Sequence, residues 1–80
     1  MSGQEDVVRI LDRASDAYMA MGVGHGWMEA LARLSGVATK TMRDAREGRR
    51  SMRASTLGQL TRCVDQLERC AAHMAAARGR

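Results

Sequence analysis

Apolar residues recur along this 80-residue chain at steps of three and four, the spacing of one face of a helix. Val7, Val8, Ile10, Leu11, Ala14, Tyr18 and Met21 make the first stripe, with Asp6, Arg9, Asp12, Arg13 and Asp16 between them. This predicts a helix over 5–21, with its start held in Ser2 to Gln4. Gly22-Val23-Gly24-His25-Gly26 then breaks the pattern, since three Gly in five residues make a poor helix interior. A short helix is predicted over 27–35, with Met28, Leu31, Ala32 and Leu34 on its apolar side and Gly36 closing it. Val37 and Ala38 lead to a third helix over 39–47, apolar at Met42 and Ala45 and closed by Gly48. Residues 49–54 read as a basic connection.

The last stripe is the longest. Ser55 is the expected N-cap, and Leu57, Leu60, Val64, Leu67, Ala71 and Met74 follow at steps of three, four, three, four and three. That is a heptad seam on a helix spanning 55–77, with 75–80 expected to fray. The seam has two readings. Leu60, Val64, Leu67, Ala71 and Met74 either join two copies into a homodimer or pack on the chain's own first helix.

Composition supports helices throughout. There is no Pro and no Phe, and only one Trp and one Tyr, while Met, Ala and Leu fill the apolar positions. Such a mixture suits helices and is poor for strands. The expected fold class is all-α: one compact four-helix domain over 1–80, with a helix-turn-helix core at 27–48 and a long C-terminal helix. A chain this short buries a modest core, which makes association a reasonable expectation.

Charge changes the picture more than its sum of +4 implies. Residues 1–36 carry three Arg against five acids. Residues 37–53 carry Lys40, Arg43, Arg46, Arg49, Arg50 and Arg53 against only Asp44 and Glu47. A basic stretch of this kind points to a polyanion, nucleic acid before acidic membrane. Two short helices joined by a Gly-containing turn let one brace the other, which can then enter a groove. With Met42 and Ala45 inward, Thr39, Lys40, Arg43 and Asp44 fall on the outer side.

Other chemistry is thin. Cys63 and Cys70 lie two helical turns apart, about 10 Å, too far for a disulfide. No Cys/His spacing suits zinc. No carboxylate pair, nucleophile with its base, or phosphate-cradling Gly loop indicates an enzyme. No metal, cofactor or small-molecule ligand is expected. The polar, acidic N-terminus is unlike a signal peptide and no apolar run reaches membrane-span length, so a soluble, cytoplasmic protein without a membrane partner is expected. Trp27 reads as a core plug, His25 as a solvated loop residue, and the Met residues as core filler.

The run Leu31-Ala32-Arg33-Leu34-Ser35-Gly36-Val37-Ala38-Thr39-Lys40-Thr41-Met42, with Gly48 and then Ser55-Thr56-Leu57 downstream, resembles the lambda-repressor/Cro-like (XRE-type) helix-turn-helix DNA-binding domains. The resemblance covers about residues 27–67. Ala38 stands where that family usually has a capping Ser or Thr, which moves the expected cap to Thr39. Arg46 stands where it often has Glu. The resemblance implies a recognition helix from Thr39, with Thr39, Lys40, Arg43 and Asp44 meeting base edges. Arg suits guanine through paired donors, and Asp44 can accept from cytosine or pair with Lys40 one turn away. Thr41, Arg46, Arg49, Arg50 and Arg53 would meet phosphates, which position without specifying.

The function so implied is a small dimeric transcriptional repressor or autoregulator on a palindromic operator of double-stranded DNA, with half-sites about 34 Å apart. The alternative is a protein-interaction module, antitoxin-like or anti-activator, on the same fold. RNA binding is a third reading, weakened by the lack of aromatic stacking platforms in the basic stretch.

Overall fold

The computed structural model describes residues 3–79; Met1, Ser2 and Arg80, and with Ser2 part of the expected helix start, lie outside them. Four helices follow in order: α1 (Gly3–Ala20), α2 (Trp27–Ser35), α3 (Thr39–Arg46) and α4 (Ala54–Arg78). No strand occurs among the described residues. The all-α, four-helix expectation therefore holds, and so does the long last helix.

Most of the first stripe forms as predicted, but Val8 is only half-buried and Met21 lies just past the end of α1, which closes at Ala20. Val7, Ile10, Leu11, Ala14 and Tyr18 are buried along α1, and Ala17 joins them. The helix ends where the N–H groups of Gly22 and Val23 turn back to the carbonyls of Met19 and Tyr18, at 3.0 and 2.8 Å. That pattern satisfies carbonyls that a helix end otherwise leaves without partners.

α1 and α4 lie side by side and run in the same direction. Asp6 and Ile10 sit beside Leu57 and Thr61, Arg13 beside Asp65 and Glu68, and Ala20 beside Arg78. Of the two readings of the seam, packing on the first helix is the observed one. Leu60, Val64 and Leu67 are buried within the single chain, at 0%, 0% and 7% exposure. They offer no surface to a second copy. Beyond them Ala71 is half-buried and Met74 exposed.

All four helices meet in one core built on Leu11, Leu31, Met42, Leu60 and Val64. Each buried aliphatic side chain contributes about 1.5–3 kcal/mol over its exposed state. Trp27, Met28 and Met52 pack partly buried against its edge. Leu34, expected on the apolar side of α2, is instead 52% exposed. The inward positions are Leu31 and Ser35, one turn apart, and Ser35 sits inside because its hydroxyl is satisfied there. It donates to the Leu31 carbonyl at 2.7 Å and accepts the Val37 N–H at 3.2 Å.

Helix ends differ from expectation in small ways. α4 starts one residue early, with Arg53 rather than Ser55 at its N-cap and no side-chain cap bond. It stays helical to Arg78, so the fraying expected from 75 onward is not seen over 75–78. α3 begins after Ala38, so Thr39 is its first helical residue and not its cap. Among the described residues no helix is long and apolar enough to cross a membrane.

Candidate nucleic-acid interface

α3 is only eight residues long and could not persist alone. It is held from three sides. Beneath it, Met42 and Ala45 are buried at 0% and 1% exposure. At its start, Gly36 (φ +77°) ends α2 in a left-handed conformation that costs Gly nothing. Gln59 of α4 donates its amide to the Ser35 carbonyl just before that turn. At its end, Gly48 (φ +81°) and Arg49 turn back onto the carbonyls of Ala45 and Asp44, at 3.3 and 2.9 Å. The Gln4 amide of α1 reaches across to the Arg46 carbonyl at 3.0 Å. Gln4 also lies against Gly48 so closely that a Cβ there would sit 3.0 Å from its Nε2.

So anchored, α3 turns Thr39, Lys40 and Arg43 outward, with Lys40 and Arg43 exposed and Thr39 half-exposed. These three are brought together on one face, as the sequence predicts. Asp44 lies beside them and makes the pairing with Lys40 that the sequence also allowed. Its carboxylate accepts from Lys40 Nζ at 3.3 Å and from Arg49 Nη2 at 3.2 Å, with only 15% of the side chain exposed. The bond from Arg49, then that from Lys40, holds the carboxyl below the ordinary carboxylate value against the opposing effect of partial burial.

The six cations of the basic stretch divide evenly. Lys40 and Arg49 share Asp44, and Arg49 also pairs with Glu47. Arg46 points toward α1, where its Nη2 lies 3.7 Å from Asp12. Position 46 is one turn after the buried Met42, which sets it on the flank toward α1 and away from the outer face. The pair is a surface contact, and the Arg46 side chain stays 44% exposed. Arg43, Arg50 and Arg53 are exposed and have no carboxylate partner among the described residues.

Arg50 and Arg53 flank a hollow of about 410 Å³ between α3 and the start of α4, lined also by Thr41, Ser51, Met52 and Thr56. Arg50 Nη1 donates to the Thr41 hydroxyl at 3.4 Å, which links the connection to α3. The first N–H groups of α4 lack intrahelical acceptors, and no side chain caps them. The hollow thus brings guanidinium and hydroxyl groups together beside the uncapped start of α4, a suitable set for an anion.

Three contributors were not read from the sequence: Gln4, Gln59 and the Asp12 partner of Arg46. Each acts across a separation of 24 residues or more, and no local spacing signals such pairs. No protein-family model, curated protein or solved structure matches the chain.

Proposed function

We propose that this protein is a sequence-specific DNA-binding regulator, a small repressor or autoregulator, that lays α3 in the major groove of duplex DNA. A helix with its side chains is about 10–12 Å across and the groove about 12 Å wide, so one helix fits. Thr39, Lys40 and Arg43 then face base edges. Arg50, Arg53, Thr41 and the start of α4 face the flanking phosphates, with Arg49 at the margin.

The observation that carries this reading is the exposed, carboxylate-free set Arg43, Arg50 and Arg53, which runs from α3 along the connection to the uncapped start of α4. The resemblance at residues 31–42 to the lambda-repressor/Cro-like domains agrees with it. One chain carries one complete face, so the reading stands whether one copy or two occupy an operator.

Salt titration of binding to duplex DNA tests it. If one complex covers about five phosphates, log affinity falls with log salt at a slope of about −4 to −5. Absence of binding to any duplex at low salt would overturn the reading.

A further inference from the structure

Asp44 is the single acid of α3, and it lies on the face assigned to DNA. A carboxylate there opposes every approaching phosphate, so affinity alone does not account for it. Its setting is unusual for a surface acid. The side chain is 15% exposed, whereas its partners Lys40 and Arg49 are 79% and 63% exposed. The carboxylate therefore lies low, and two cations rise from it toward solvent.

Each oxygen has its own cation: Oδ2 takes Lys40 and Oδ1 takes Arg49. The Lys40 bond is an ordinary one-turn pair within a helix. The Arg49 bond is different, because it crosses the Gly48 turn and ties the connection to α3. Asp44 thus fixes the spacing of a cation on the groove-facing helix against a cation on the phosphate-facing connection, where Glu47 is a second acceptor for Arg49 and Asp44 the only one shared with Lys40.

We infer that Asp44 is a specificity-determining residue, which holds Lys40 and Arg49 in fixed register and withholds their charge from DNA that does not match that register. This rests on the DNA-binding reading above. Random duplex meets two cations already engaged. A matching duplex offers acceptors where the two cations already stand, so little ordering of long side chains is lost on binding.

The test is Asp44→Asn in the full chain, which keeps shape and removes charge. A duplex selected by the wild-type protein from a random pool is compared with a random-sequence duplex of equal length, across a range of salt. Asp44→Asn is expected to bind the random duplex more tightly, with a salt slope steeper by about 1. The ratio of selected to random affinity should fall about fivefold or more, the discrimination of one good base contact. Asp44→Ser, of different shape, should lower the ratio likewise, which assigns the effect to the charge.

An unchanged ratio in both variants overturns the inference, as does equal weakening on both duplexes, the mark of a mere brace. These outcomes leave the DNA reading intact as long as the wild-type protein binds duplex with its steep salt slope. Wild-type failure to bind either duplex overturns both.

Discussion

Arg13 and Arg43 carry the same guanidinium on neighbouring helices of one small domain, yet their surroundings have little in common. Arg13 is half-buried between α1 and α4. Its Nε and Nη2 reach Glu68 at 2.9 and 2.5 Å, and Nη2 reaches Asp65 at 2.8 Å. The bonds to Glu68 and then Asp65 raise its pKa above the usual Arg value, and the Arg13 bond lowers that of Glu68. Arg43 stands in solvent with no carboxylate partner among the described residues. One charge is consumed in registering two helices, while the other remains available. The count of Arg in a segment therefore says less about a polyanion partner than which of them the fold leaves without a carboxylate.

Removing the link between the two regions has the largest expected effect. Met42 is fully buried and is the largest side chain that α3 contributes to the common core. Met42→Ala should cost about 2–5 kcal/mol, as large-to-small core changes do. A domain of this size has roughly 4–12 kcal/mol in all. Denaturant unfolding followed by circular dichroism measures the loss. A cost below 1 kcal/mol would mean that α3 is held chiefly at its ends, by Gln4 and Gln59.

Exchanging the two arginines sharpens the contrast. Arg43→Ala should lower affinity for a selected duplex by about 1–3 kcal/mol and relax preference at one base position, with unfolding unchanged. Arg13→Ala should leave DNA binding unchanged and cost about 1 kcal/mol of stability, the upper end for partly exposed pairs in high dielectric. Acid adds a second axis. The folded Glu68 carboxyl lies below its ordinary value of 4.5, so its contribution is complete above 4.5. It is lost as pH falls through the depressed value. Glu68→Gln should therefore be less stable than the wild type near neutrality, and the gap should close below about pH 4.5 in acid unfolding curves.

The contrast between these arginines was only partly legible in the sequence. Periodicity found all four helices, because each buries a face whose residues recur at helical steps. It also found the outward set Thr39, Lys40 and Arg43, since fixing Met42 and Ala45 inside leaves those positions no other side. The exposure of Leu34 and the Asp12 contact of Arg46 are not legible in the sequence for one reason. Each lies on the flank of a short helix, and which neighbour stands beside that flank is a property of the tertiary arrangement. The Arg13 clamp is of the same kind, joining residues 52 and 55 apart. Side-chain chemistry worth about 1 kcal/mol favours Ser55 as a cap. Starting the helix after Arg53, with Met52 packed against the core, overrides a preference of that size.

The smallest effect concerns the start of α3, where structure and binding compete for the same groups. Ala38 is the N-cap, extended at φ −61° and ψ 141°, and it accepts the Met42 N–H at 3.1 Å but has no side-chain oxygen to offer. The N–H groups of Lys40 and Thr41 are those a capping hydroxyl would accept. Ala38→Ser should therefore stabilise the domain by about 0.5–1 kcal/mol, raising the thermal midpoint by roughly 2–8 °C for a domain this small. Affinity for a selected duplex should stay within about twofold, because the outward side chains keep their positions and a change of that size is under 0.5 kcal/mol. A tenfold loss of affinity with the same gain in stability would reassign those N–H groups to the DNA, and the boundary between structural and available donors would then run through the first turn of α3.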